Sequence, residues 1–132
     1  MLKTVLLGAA CVLAPSLASA EAATVESGVK TEVATHMRYD SRCQPNTVSI
    51  KILEAPAYGT VTSEPKSMVV PQSERNMPQQ AICVGKTIDG VAIYYKSEPG
   101  FIGQDRFRYQ RLNPKDPGDK FNTEIRYTIT VK

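Results

Sequence analysis

The stretch that decides the fold is Pro99-Gly-Phe-Ile-Gly-Gln-Asp-Arg-Phe-Arg-Tyr109. Pro99-Gly100 is a turn dipeptide, because proline presets φ and glycine accepts φ > 0. Phe101 and Ile102 follow at once and put large apolar groups in a loop, where they need a pocket. Gly103 supplies a second point of backbone freedom. Asp105 is suited to accept hydrogen bonds from nearby backbone N–H groups. Phe107 and Tyr109 then alternate with Arg106, Arg108 and Gln110. That is the period-two signature of a half-buried strand with aromatics inward and cations outward. Phe101 is expected to plug one end of a core whose centre Phe107 and Tyr109 fill.

Downstream, Asn113 to Lys120 is a loop holding Pro114, Pro117 and Gly118. Glu124 to Val131 is a strand with Ile125, Tyr127, Ile129 and Val131 inward, expected to pair with the Asp105–Leu112 strand as a hairpin. Upstream, Val91 to Tyr95 is a strand, with Asp89-Gly90 before it as a hairpin turn signal. Ala81 to Val84 reads as extended around Cys83. Ser63 to Gln80, with Pro65, Pro71 and Pro78, is the least regular part, and Met68-Val-Val70 is expected to add a brief edge strand. Pro56-Ala-Tyr-Gly59 is a turn before a short strand at Thr60-Val-Thr62. Thr47 to Leu53 is a strand with Val48, Ile50 and Ile52 on one face.

Further upstream, Val29, Thr31, Val33, Thr35, Met37 and Tyr39 alternate with Lys30, Glu32, Ala34, His36 and Arg38, a strand pattern interrupted at most once. It places His36 on a solvated polar face. Glu21 to Ser27 is small and polar, a loose start. About seven short strands separated by turn signals, with no sustained helical period after the first residues, predict an all-β antiparallel sandwich.

The first residues differ in kind. Met1-Leu-Lys3 is a short basic segment, Val5 to Leu13 is apolar, and Ala18-Ser-Ala20 matches an A-x-A cleavage site. This predicts a signal peptide over 1–20, cleaved after Ala20, and one domain over 21–132. Cys11 raises lipidation as a competing reading. Its leucine, Leu7, stands four residues before it rather than three, and the apolar run continues past it. The run is too short to span a bilayer as a helix, and nothing later is long and apolar enough. Removing Lys3 with the leader takes the formal net charge from +3 to +2. So small a balance does not call for a nucleic-acid partner.

Two cysteines then remain, Cys43 and Cys83. In an exported chain they favour a single disulfide. With one histidine in the chain and no C-x-x-C, neither a zinc site nor a redox motif is indicated. The expected location is the periplasm or the extracellular medium.

Several segments together resemble bacterial immunoglobulin-like, cadherin-like domains. They are Pro56-Ala-Tyr-Gly-Thr-Val61, Ile93-Tyr-Tyr95, the opening stretch and the closing Thr128-Ile-Thr-Val131. The family pattern is P-x-x-G-x-V, a strand ending Y-x-P, then G-F-x-G-x-D-x-F-x-Y, and a last strand of alternating Thr and Val. The resemblance covers residues 47–132 and implies an immunoglobulin-like sandwich. It makes Pro99, Gly100, Phe101, Gly103, Asp105, Phe107 and Tyr109 a packing motif with no activity of its own. This chain departs from the pattern in having one copy, Tyr95-Lys-Ser97 without the proline, and the added cysteine pair. The calcium sites that tandem repeats build from acidic clusters do not carry over, since Glu54, Asp89, Asp105, Asp116 and Asp119 are scattered singly.

No catalytic fingerprint accompanies these elements. His36, which a triad would need, falls on the polar face. No metal, no cofactor and no enzymatic activity are expected, and a weak hydrolase is the least favoured alternative. Arg106, Arg108, Arg111 and Lys115 read as a basic outer face, which could meet an anionic protein or polysaccharide. The Asn113–Asn122 loop carries Phe121 and is long for a hairpin. Loops at the end of a sandwich are where such folds bind. The expectation is a monomeric, non-catalytic binding or structural accessory. The alternative is an inhibitor of a secreted enzyme acting through that loop.

Overall fold

The computed structural model describes residues 18–72 and 81–132. The basic start, apolar run and Cys11 of the expected leader, and Pro78, lie outside the described residues. Seven strands run in order: β1 (Ser19–Val25), β2 (Thr31–His36), β3 (Ser49–Glu54), β4 (Gly59–Val69), β5 (Thr87–Ser97), β6 (Gly103–Leu112) and β7 (Thr123–Val131). They form two sheets, β1-β7-β6-β3 and β2-β5-β4. The all-β two-sheet sandwich read from the sequence is the fold observed, and Cys43 and Cys83 are bonded.

Alternation along β6 and β7 makes most of the core. Phe107 and Tyr109 of β6, Tyr127, Ile129 and Val131 of β7, and Ile93 and Tyr95 of β5 meet between the sheets, with Val25 of β1 and Ile125 of β7. Phe107 lies 5.1 Å from Tyr127 and 6.2 Å from Tyr95, the rings nearly parallel in both pairs. Burying each such side chain stabilises the fold by roughly 1.5–3 kcal/mol. β6 and β7 pair as the expected antiparallel hairpin, Gly103 opposite Val131 through Arg111 opposite Thr123.

Four local expectations need correction. Residues 21–27 are not a loose start: Ser19–Val25 pairs parallel with β7, from Ser19 opposite Ile125 to Val25 opposite Val131. Its Ala-, Glu- and Thr-rich composition hides this, because β7 supplies the template and only Val25 is fully buried. The irregular segment after Gly59 is instead an 11-residue edge strand. Pro65 sits within it opposite Val91, tolerated because an edge strand pairs on one side only. Asp89-Gly90 makes no hairpin turn. β5 runs through it, with Asp89 opposite Ser67 and Gly90 opposite Lys66. A Cβ on Gly90 would stand 2.4 Å from the His36 carbonyl oxygen, so this glycine marks a close approach of two backbones. Finally, residues 81–86 form a tight turn, with Val84 N–H donating to Ala81 O and Lys86 N–H to Cys83 O. That turn and the disulfide build a satellite cluster of Val70, Cys83 and Ile88, flanked by Met37 and Tyr39.

Candidate binding surfaces

The motif aspartate organises one end of the sandwich. Asp105 is buried at the start of β6. It does bond backbone N–H groups, but chiefly those of a distant turn. Ala57 N–H donates to Oδ1 at 3.0 Å and Tyr58 N–H to Oδ2 at 3.1 Å. The Tyr95 hydroxyl, from the opposite sheet, donates to Oδ2 at 2.7 Å. Burial, then this carboxylate, pushes the Tyr95 hydroxyl pKa up.

The Pro56–Gly59 turn is thereby held against the β5–β6 loop. Tyr58 stacks on Phe101, centroids 4.3 Å apart and planes 9° from parallel. Phe101 packs against the core as expected of a plug, and Gly103 (φ 140°) lies against its ring. The β1–β2 loop joins the same end, since Gly100 N–H donates to Ser27 Oγ and Gly28 N–H to Ser97 Oγ. The outcome is a braced end that leaves Tyr58 46%, Val29 46% and Ile102 65% exposed. Tyr58 and Ile102 are visible in the turn and motif, but the stacking of Tyr58 on Phe101 and the exposure of both depend on loops distant in sequence.

A cleft opens at the other end, between the sheets. His36 is not solvated. A bulge at Val33 breaks the β2 register between Glu32 and Ala34. Before it Thr31 lies opposite Tyr95; after it Ala34 lies opposite Ile93 and His36 opposite Val91. One inserted residue exchanges the two faces, and His36 turns inward. The Val33 carbonyl accepts from the Tyr127 hydroxyl at 2.8 Å. His36 Nε2 hydrogen-bonds the Tyr109 hydroxyl at 2.7 Å. Burial, reinforced by the Arg111 guanidinium, lowers the His36 pKa to about 4, so the ring is neutral at pH 7. Burial also pushes the Tyr109 hydroxyl pKa up. His36, Tyr109 and Tyr127, with Arg111, Thr123 and Glu21, line a cleft of about 270 Å³.

The four cations expected on one outer face are divided. Arg106 and Arg108 do share the outer face of β6. Arg108 is tied to Glu54 at 2.9 Å and to Glu124 at 2.8 Å, and Glu124 also accepts from Arg126 at 3.1 Å. The Arg108 and Arg126 hydrogen bonds hold the Glu124 pKa below its ordinary value. Arg106 makes no ion pair among the described residues. Arg111 has the parity of Tyr109 and lies at the cleft. Lys115 is exposed in the loop.

Phe121 does not project from that loop. It lies between two guanidinium groups, Arg38 at 4.9 Å and Arg111 at 4.6 Å. Asp119 accepts from Phe121 N–H, Asn113 Nδ2 and Arg38, which together pull its pKa down. Asn122 Oδ1 accepts from Asn113 N–H. The Asn113–Asn122 loop is therefore knitted to itself and to Arg38, two residues beyond β2.

No family model matches the chain, and no curated protein matches it. Among solved structures, a solution structure of amebosin is similar with a TM-score of 0.47 and 13% identity, covering 90% of this chain and 100% of that one.

Proposed function

We propose that the chain is an exported, immunoglobulin-like module that binds a protein partner through its braced loop end and carries out no catalysis. The observation that carries this reading is the exposed Tyr58 ring, stacked on Phe101 and fixed through its own N–H by Asp105. A rigid, solvent-facing aromatic beside exposed aliphatic groups is the kind of anchor on which protein interfaces concentrate their energy, and prior ordering lowers the entropic cost of binding. Export is supported by the basic-apolar-A-x-A start and by the disulfide, which belongs to an oxidising compartment. The non-catalytic reading is supported by the commitment of the chain's one histidine to Tyr109 rather than to a nucleophile or an acid.

Site-specific photo-crosslinking in an exporting host tests it. A crosslinker at Ile102 should capture a discrete protein adduct that one at Lys66, on edge strand β4, does not. Tyr58→Ala should reduce that adduct at least tenfold while the protein remains folded by circular dichroism. Equal labelling from both positions, or none from Ile102, would overturn the reading.

A second reading, inhibition of a secreted enzyme, has one observation in its favour: the Asn113–Asn122 loop is held by its own hydrogen bonds, as a loop that resists an enzyme's cleft must be. Replacing it by Asn-Gly should abolish inhibition of the target hydrolase while the sandwich still folds, and unchanged inhibition removes the loop from consideration.

A further inference from the structure

We propose that the cleft bounded by His36, Tyr109 and Arg111 is a binding site for a small carboxylate. This stands independently of the loop-end reading. The argument begins with Arg111. Its side chain is held in place, stacked on Phe121 with its carbon centre 4.6 Å from the ring and with Nε donating to the Phe121 carbonyl at 3.0 Å. It forms no ion pair among the described residues, in contrast to Arg38, Arg108 and Arg126. An oriented guanidinium whose terminal nitrogens are not taken up by the chain presents the fork that a carboxylate fits.

The cleft walls supply the rest of the recognition. Tyr109, Ile125 and Tyr127 form the cleft floor but are only 0%, 5% and 7% exposed, and Thr123 offers a hydroxyl. His36, hydrogen-bonded through Nε2 to Tyr109, adds polarity without charge, because burial and the Arg111 guanidinium disfavour its protonated form. Glu21 also lines the cleft. It pairs with no cation among the described residues and accepts only from Ser19 Oγ at 2.8 Å. The predicted cleavage after Ala20 makes Glu21 the first residue of the exported protein, so its own α-ammonium offsets its carboxylate and Arg111 remains the charge that favours an anion. At about 270 Å³ the space lies below the roughly 300–1,000 Å³ of sites for drug-sized ligands, which limits the occupant to about one ring.

The experiment uses the exported protein and heteronuclear NMR titration with phenylacetate and phenylacetamide. Phenylacetate should shift the resonances of His36, Tyr109 and Thr123 and bind at least tenfold more tightly than the isosteric amide, a comparison made entirely on the wild-type protein. Arg111→Gln should remove the preference for the acid over the amide. Equal affinity for acid and amide in the wild type, or shifts confined to residues outside the cleft, would overturn the proposal.

Discussion

The Tyr95 hydroxyl and the Asp105 carboxylate lie 2.7 Å apart, joining β5 of one sheet to β6 of the other. The same carboxylate caps two N–H groups of the Ala57-Tyr58 turn. Asp105→Ala would leave these donors without their acceptor. Each buried unpaired group costs about 1–3 kcal/mol, so the domain should lose about 3 kcal/mol or more. Asp105→Asn keeps one acceptor oxygen and should lose less. Urea denaturation measures both, and an Asp105→Ala midpoint equal to wild type would show that the carboxylate does not brace the turn.

His36 makes stability depend on pH. In the unfolded chain its pKa is the ordinary 6.5, and in the folded chain it is about 4. The unfolded state therefore binds a proton first as pH falls. The stabilisation is complete above pH 6.5, declines through the interval down to about 4, and is lost below it. The difference corresponds to about 3 kcal/mol across that window. Asp119 and Glu124, whose pKa values are lowered by their partners, lose their contributions mainly below pH 4.5. Comparing wild type with His36→Gln between pH 5 and 7 isolates the histidine. The wild-type slope should be the steeper, and parallel slopes would place His36 in solvent.

What was legible follows from how local each determinant is. Phe107, Tyr109, Tyr127 and Ile129 could be placed inward because β6 and β7 pair without a register shift, so alternation in sequence is alternation in space. His36 could not, because the Val33 bulge inverts the faces of β2 and nothing in Glu32-Val-Ala34 announces it. Asp89-Gly90 reads as a turn by composition, whereas Gly90 answers to a neighbouring backbone. Arg111 looks like the third cation of a basic face. Its parity and its Phe121 stack assign it to the cleft, and the second of these depends on the closure of a loop.

Phe107 is fully buried at the meeting point of Tyr95, Tyr109 and Tyr127. Phe107→Ala removes a ring that no neighbour is free to replace, since those three tyrosines are held by hydroxyl bonds to Asp105, His36 and Val33 respectively. The expected loss is about 3–5 kcal/mol, a large part of the stability of a domain this size. Thermal unfolding followed by tyrosine near-ultraviolet circular dichroism reports it, and a melting temperature near wild type would remove Phe107 from the core.

The Cys43–Cys83 bond joins segments 40 residues apart, with Cα atoms 5.4 Å from each other. It anchors the residue 40–46 turn, where Asp40 Oδ1 accepts from Arg42 and Gln44 N–H, to the turn at 81–86. Closing a loop of that length stabilises by about 4 kcal/mol in the chain-entropy model. The cysteines belong to the satellite cluster and not to the aromatic core. Reduction should therefore lower the unfolding midpoint by an amount of that order while the aromatic circular dichroism of the folded state persists. Intact mass should rise by two hydrogens on reduction, and two alkylatable thiols in the untreated exported protein would show the bond is not formed. Loss of the aromatic signal on reduction, before any denaturant is added, would mean that the satellite cluster and the core do not fold separately.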